Sequence, residues 1–193
     1  MNSAKPRVAV FIDGGNFYHK LKDLKIQNKS QFGYRQLAEW LARDRALVSA
    51  GYYIGVVRAK PDDVKGQALR AGQVGLFNFL RSPKQHFIIR QGYLMNNDGK
   101  YHEKGVDVQL AVDLLVGAYE NTYDTAILLS SDTDLIPAIK KVKELGKAVE
   151  YIGFAHKPTI ALQTHATLSR LLIQEEIGTF VSKSTDTKDT AKR

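Results

Sequence analysis

Acidic residues follow two short apolar runs of the chain. Asp13 closes the run VAVFI, and Asp132 and Asp134 lie in SSDTD, which continues the run AILL. A further acid, Asp107, opens the segment VDVQLAVDLL. Carboxylates gathered at one place repel one another: a pair about 4 Å apart costs on the order of 1 kcal/mol in water and ~4 kcal/mol at an effective dielectric of 20. A divalent cation would remove this cost, so the pattern favours a metal site.

The ligand types indicate which cation such a site would hold. The chain has no cysteine, and its five histidines are scattered without metal-binding spacing. Hard oxygen ligands therefore point to Mg²⁺ or Mn²⁺ rather than zinc. A phosphate oxygen is the usual remaining ligand of Mg²⁺, and the bound cation activates water and offsets charge on a leaving oxygen. The chemistry predicted is hydrolysis of a phosphate ester.

The charge balance indicates the kind of substrate. Lys and Arg number 28 against 20 Asp and Glu, which gives a net charge of +8. A positive surface concentrates polyanions, of which nucleic acid is the common one, although the excess can also serve solubility alone. An acidic site on a basic protein is the pattern expected of a nuclease.

Each acid also has a purely structural interpretation. Asp13 can be a turn residue before Gly14, and Asp132 or Asp134 can cap a helix. Asp107 can be the first-turn acid that a helix dipole favours. The sequence leaves these alternatives open for each residue alone, but together they require a coincidence at the strand ends and helix starts of one sheet.

Short apolar runs alternate with helical patterns along the chain, which predicts an α/β fold with a parallel sheet between helical layers. The predicted strands are Val8–Ile12, Tyr52–Val57, Phe87–Tyr93, Thr125–Leu129 and Ala148–Ile152. The predicted helices are Asn16–Leu24, Tyr34–Arg45, Val64–Leu80, Val106–Tyr119 and Leu135–Leu145. A short helix and an edge strand are expected within residues 160–181. Ligands of such sheets bind beyond the carboxyl ends of the strands, where strand order reverses.

This topology predicts that Asp13 and the SSDTD segment lie on one rim of the sheet, with Asp107 joining them if its helix starts there. Thr133 or Asp134 is expected to cap the helix from Leu135, with Pro137 in its first turn.

The segment from Val106 to Tyr119 is apolar almost all round, so we expect this helix to be well buried. Asp113 interrupts it. Because Asp113 follows Gln109 by four residues and Val106 by seven, it should lie near the packed side.

These motifs give the chain a resemblance to a known family. FIDGGNFY, KGVDVQLAVDLL, YDTAILLSSDTDLIPAIKKVKELGK and VEYIGF resemble the NYN domain family, specifically the LabA/DUF88 branch of the PIN-like nucleases. The resemblance covers residues 7 to 175. It implies a three-layer α/β/α sandwich with a central, mainly parallel sheet of five or six strands. It also implies metal-dependent hydrolysis of phosphodiester bonds, usually in RNA.

The resemblance assigns roles to residues of this chain. Asp13, Asp107 and Asp132 match the family's metal-binding acids, and Asp134 matches a fourth acid that binds directly or through water. Asn16 matches an asparagine that positions the first carboxylate or the scissile phosphate. Asp113 matches a motif position of unsettled role.

Substrate contacts are the second set of predicted site residues. Ser131 stands where the family usually has glycine, and a serine hydroxyl can donate to phosphate. Arg58 and Lys60 follow a predicted strand and so should lie on the active rim. The predicted substrate-binding residues are Arg58, Lys60, Lys104, Ser130 and Ser131.

The sequence also admits other functions. The main alternative is a non-cleaving, nucleic-acid-binding or regulatory adaptor that keeps the acidic metal site. A haloacid-dehalogenase-type phosphatase needs a second Asp two residues after the first, which Asp13-Gly14-Gly15 lacks, and no P-loop motif occurs. We expect one domain over residues 1–181, a disordered polar tail over 182–193, a cytoplasmic location and no membrane partner. A homodimer is left open.

Overall fold

A computed structural model describes residues 4–26, 32–97 and 100–181; the predicted tail lies outside these residues. The seven strands form one sheet in the order β4-β3-β2-β1-β5-β6-β7. They are β1 (Arg7–Asp13), β2 (Ala46–Val57), β3 (Ile88–Asn97), β4 (Lys100–Lys104), β5 (Thr125–Leu129), β6 (Ala148–Phe154) and β7 (Leu168–Leu172). Six strands are parallel, and β4 runs antiparallel to β3 at the edge. The predicted α/β sandwich is confirmed, with the antiparallel strand as an addition.

Helices cover both faces of the sheet. They are α1 (Gly14–Asp23), α2 (Tyr34–Ala42), α3 (Val64–Arg81), α4 (Val106–Tyr119), α5 (Ile136–Glu144), α6 (Ile160–His165) and α7 (Gln174–Gly178). One apolar core joins α1, α2, α3 and α7 to the face that carries Ile12 and Tyr52. A second core joins α4, α5 and α6 to the face that carries Phe11 and Tyr53. The alternation of side chains along β1 and β2 supplies both cores.

The two central strands explain why the site lies where it does. β1 and β5 are buried along almost their whole length, which is why their sequences are unbroken apolar runs. In the sheet, β2 and β3 lie beside β1 on one side, whereas β6 and β7 lie beside β5 on the other. Strand order therefore reverses between β1 and β5. Asp13 ends β1 and Ser130 follows β5, so both lie at this reversal.

Several predicted boundaries and caps need correction. The second strand begins at Ala46 rather than Tyr52, and α2 ends at Ala42 because Arg43 adopts a left-handed conformation with φ of 56°. The expected cap of the helix after β5 was also wrong. Asp132 caps a 3₁₀ turn over Thr133–Leu135, which leads into α5.

The expected burial of α4 is correct for one face only. Val106, Leu110 and Leu114 are fully buried against the sheet. The opposite face also consists of apolar side chains, and these are exposed. None of the helices in the described ranges is long and apolar enough to span a membrane.

Candidate acidic active site

Asp13 is the buried anchor of the site, with 2% of its surface exposed. It ends β1 and caps α1: its Oδ1 accepts a hydrogen bond from the backbone N–H of Asn16 at 3.0 Å. Its Oδ2 accepts from the Asn16 side-chain amide and, at 2.9 Å, from the Ser130 hydroxyl. Burial raises the pKa of Asp13, the charge of Asp132 adds to this, and the hydrogen bonds from Asn16 and Ser130 oppose it. These donors fix the orientation of the carboxylate.

Ser130 joins the ends of β1 and β5. It is 5% exposed, donates to Asp13, and accepts from the backbone N–H of Asp132 at 3.1 Å. The sequence indicated a substrate-binding role, but this hydroxyl is engaged inside the protein and links two of the acids. Asp132 in turn accepts a 2.9 Å hydrogen bond from the backbone N–H of Asp134. The SSDTD turn is thus tied to Asp13 by a chain of hydrogen bonds.

Asp107 reaches this group from the other side of the site. It lies in the first turn of α4, which starts after Gly105 in a left-handed conformation with φ of 77°. Partial burial, followed by the charges of Asp132 and Asp13, raises the pKa of Asp107 to about 6. The charge of Asp134 and a side-chain hydrogen bond with Asp132 act in the same direction. The structure therefore places Asp107 within electrostatic reach of the other three predicted acids.

The start of α4 is held by close packing against β3. A Cβ added to Gly92 would lie 2.5 Å from Val106 Cγ2 and 2.6 Å from the carbonyl oxygen of Lys104. Only glycine lets β3 approach the junction of β4 and α4 this closely. The position of Asp107 thus depends on a residue in another strand.

Asp113 lies outside the acidic group. Its carboxylate accepts hydrogen bonds from the Tyr53 hydroxyl at 3.0 Å, from Arg90 Nε at 2.8 Å and from the Gln109 amide at 2.8 Å. The predicted location near the packed side of α4 is confirmed, since its side chain is 18% exposed. Its hydrogen bonds are those of a residue that fastens α4 to β2 and β3.

The predicted basic residues lie along the same edge of the sheet. Tyr53 pairs with Asp13, and β2 continues beyond that pair to Val57, so Arg58 and Lys60 follow at the carboxyl edge. Arg58 and Lys60 are exposed, and the guanidinium of Arg58 lies 4.9 Å from the centre of the Tyr93 ring. Lys104 is exposed directly before α4. These residues flank the acids on the β3–β4 side.

Lys20 is a basic residue near the site that the sequence pattern did not single out. It lines a small crevice with Asn16, Ser130 and Ser131 on the β6 side of the acids. Its Nζ donates to the Lys157 carbonyl oxygen at 2.9 Å, and burial followed by the charge of Lys157 lowers its pKa. The available signal was spacing: Lys20 follows Asn16 by four residues, which places both on one face of α1.

The donor set fits a hard divalent cation chemically, because it consists of carboxylate oxygens whose mutual repulsion a cation would relieve. The arrangement is not a preformed metal cage. Within residues 4–26, 32–97 and 100–181, no three His, Asp or Glu side chains already surround one metal position. Binding would therefore require small movements of the side chains. Asp107 and Asp134 lie closest to solvent and are the ones best placed to make them.

Fold and site together define an α/β protein with a carboxylate cluster at the reversal point of a parallel sheet. The chain belongs to the NYN domain family, whose sequence pattern matches residues 7–170. This match establishes the family, whereas membership of its LabA/DUF88 branch remains a prediction.

Similar proteins have been found in a bacterium, an archaeon and a phage. The crystal structure of VPA0982 from Vibrio parahaemolyticus, a protein of unknown function, has a TM-score of 0.61 and 20% identity, over 89% of this chain and 96% of that one. The uncharacterized protein MJ0482 of Methanocaldococcus jannaschii is 34% identical over 95 residues, which are 49% of this chain and only 38% of that protein. The D15 flap endonuclease of bacteriophage T5, crystallised with DNA and metal ions, is 14% identical over 75% of this chain and 55% of its own. Its TM-score of 0.41 supports no further comparison.

Proposed function

We propose that this protein is a PIN-like, metal-dependent nuclease of the NYN family that hydrolyses phosphodiester bonds, with RNA as its substrate. One observation carries the proposal. Asp107, from the start of α4, lies close enough to Asp13, Asp132 and Asp134, from the ends of β1 and β5, that their charges add to partial burial in raising its pKa to about 6. A protein without a cationic ligand gains nothing by holding four acids in mutual repulsion.

In this proposal the four acids hold the cation and the surrounding residues hold the acids. Asn16 and Ser130 fix the buried Asp13, so that carboxylate keeps its direction when substrate enters. Asp132 and Asp134 are ordered by the capped turn that follows β5. When bound, Mg²⁺ or Mn²⁺ supplies Lewis-acid chemistry, lowering the pKa of a water and offsetting charge on the phosphate.

The basic residues on either side of the acids would hold the sugar–phosphate backbone. Arg58, Lys60 and Lys104 are available toward β3 and β4, and all three are exposed. Ser131 and Lys20 line the crevice toward β6. Lys and Arg on both sides of the carboxylates offset the repulsion between an acidic site and a polyanion. The strand would therefore cross the carboxyl edge of the sheet.

The test is cleavage of a labelled single-stranded RNA with Mn²⁺ or Mg²⁺ by the wild type, Asp107→Asn and Asp132→Asn. We expect both variants to lose at least a hundredfold in rate while their circular dichroism spectra match that of the wild type. Asp44→Asn is the matched control, because Asp44 is exposed before the amino end of β2, at the opposite edge of the sheet. It should cleave at the wild-type rate. Equal cleavage by all four proteins would reject the assignment.

A non-cleaving, RNA-binding adaptor is the second candidate. It is favoured by the absence, within the described ranges, of three acids that already surround a metal position. The same assay separates the two. An adaptor would retain RNA in a cation-dependent manner in a filter-binding experiment, yet yield no product with any substrate tested, including single-stranded DNA.

A further inference from the structure

The outward face of α4 is apolar along its whole length. Val108, Val112, Val116 and Tyr119 are 67%, 46%, 43% and 62% exposed. Their spacing places them on one side of the helix, opposite the buried Leu110 and Leu114. Valine is a poorer helix former than the charged residues that usually occupy exposed positions. Three exposed valines on one helix therefore indicate a surface that packs against something.

The patch continues from α4 onto the sheet. Ile88, at the start of β3, is 48% exposed and lines a cleft of about 180 Å³ together with Val116, and Arg90, Asp113 and Glu120 line the same cleft. The five side chains expose on the order of 500 Å² of apolar surface, which is near the upper end for a monomer. A stable interface buries about 800 Å² per partner, of which roughly 60% is apolar. The patch thus supplies the apolar part of one standard interface.

We propose that this face, defined by Val108, Val112, Val116, Tyr119 and Ile88, is a homodimer interface on which α4 packs against α4 of a second copy. In a two-fold interface, residues near the axis meet their own counterparts, so a charge there would repel itself. The row of four exposed side chains on α4 carries no charge. Its charged neighbours are Asp107 and Glu120 near the ends of the helix and Asp113 beside the row, which is ion-paired with Arg90 in the cleft that Val116 and Ile88 line. An uncharged row that meets its own counterpart across the axis satisfies this requirement.

Other occupants fit this face less well. Residues 1–3, 27–31, 98–99 and 182–193 of the chain contain one large apolar residue, Met1, and so cannot cover it. The five residues of the face include no Lys or Arg, and Arg90 in the adjoining cleft is ion-paired with Asp113. The nearest charges on α4 are the acids Asp107, Asp113 and Glu120, whereas a helix that binds anionic membranes is flanked by bases.

Sedimentation velocity tests the proposal with two substitutions of matched exposure. Val112→Lys places a charge in the centre of the face, whereas Val74→Lys alters a valine on α3 that is 49% exposed. Over a tenfold concentration series we expect the wild type and Val74→Lys to sediment at twice the chain mass of 21.6 kDa. Val112→Lys should dimerise at least a hundredfold more weakly, because a buried charge would lack a partner. A monomeric wild type, or equal behaviour of both variants, would overturn the proposal.

Cross-linking gives a second test that does not depend on how Val112→Lys folds. The chain contains no cysteine. Single cysteines introduced as Val112→Cys and Val116→Cys lie near the proposed axis, so at least one should form a disulfide-linked dimer in air. Val74→Cys should remain monomeric on a non-reducing gel. Absence of cross-linking at both α4 positions, or an equal amount at Val74, would contradict an α4–α4 interface.

Discussion

Asp107 opens α4 and Asp132 follows β5, yet the charge of Asp132 helps burial to raise the pKa of Asp107 to about 6. A raised pKa means that the Asp107 carboxyl takes up a proton more readily than an exposed one. Without a cation this protonation is the available means of reducing repulsion in the cluster. Proton and metal ion are therefore alternative occupants of the same group of acids.

The contribution of Asp107 to stability without metal should fall as pH rises. The pKa of Asp107 is raised from 3.8 to about 6, so its contribution to stability is present in full below pH 4 and is lost as pH rises through 6. Asp107→Asn removes this titration. Measured in EDTA, the melting temperature of the variant should therefore exceed that of the wild type increasingly between pH 4 and pH 7. Asp44→Asn should follow the wild type; a constant offset between Asp107→Asn and the wild type would refute the coupling.

Ser130→Ala should disturb the buried anchor of the site. It removes the 2.9 Å donor to Asp13 and the acceptor for the backbone N–H of Asp132. Loss of such a bond at a buried carboxylate costs about 1–3 kcal/mol. Urea denaturation measures the change in the free energy of unfolding. Ser131→Ala, next to it and half-buried, is the control and should stay within about 0.5 kcal/mol of the wild type. An equal loss in the free energy of unfolding for both variants would show that the hydrogen bonds of Ser130 do not stabilise the site.

Gly92→Ala should displace Asp107 without touching it. The new methyl would overlap Val106 and the Lys104 carbonyl, which forces the start of α4 outward at a cost of about 1–3 kcal/mol. Gly75→Ala is the opposite case, since a Cβ there meets nothing within 4 Å and alanine favours the helix by up to ~1 kcal/mol. Chemical denaturation should give opposite signs for the two changes. Gly92→Ala should also reduce the rise in melting temperature that Mn²⁺ causes, because Asp107 would be displaced from the other acids. The same rise in Gly92→Ala and the wild type would show that the position of Asp107 does not depend on Gly92.

Charge reversal of Arg58 and Lys60 should weaken RNA binding and flatten its dependence on salt. Each phosphate that the protein no longer neutralises makes the slope of log K against log salt shallower by ~0.7 for a single strand, so the double variant should differ by at least ~1.4. Fluorescence anisotropy over a salt series measures this slope. Reversal of Arg81 and Lys84, which are exposed near the amino end of β3, is the control. An equal change of the salt slope in both double variants would indicate that RNA binding depends on the net charge of the protein rather than on contacts at Arg58 and Lys60.

Much of the fold could be predicted because the central strands have an unambiguous signature. The run AILL is buried on both faces, and the predicted limits of β5, Thr125–Leu129, are those of the structure. The start of β2 was missed because Ser49, Ala50 and Gly51 interrupt the apolar run between Val48 and Tyr52. β4 was missed because an antiparallel edge strand of the sequence KYHEK shows no apolar alternation.

The sequence predicted which acids belong to the candidate site but not the hydrogen bonds that connect them. Strand ends marked Asp13 and Asp132, since an acid after an apolar run is conspicuous. No pattern could show that Ser130 bridges them, because a side chain 117 positions away in sequence supplies the other half of the hydrogen bond. The outer face of α4 was misread for a related reason. Periodicity shows that a helix is apolar on every side, but not which side meets the sheet.

We propose that Asp13, Asp107, Asp132 and Asp134 form one cation site. Soaking a crystal in Mn²⁺ would locate the ion, because anomalous scattering identifies its position without assumptions about activity. We predict an anomalous peak within ~2.0–2.4 Å of carboxylate oxygens from at least three of these residues, and no such peak in crystals of Asp107→Asn. A wild-type crystal with no peak among the four acids, or with its strongest peak elsewhere on the protein, would contradict the account.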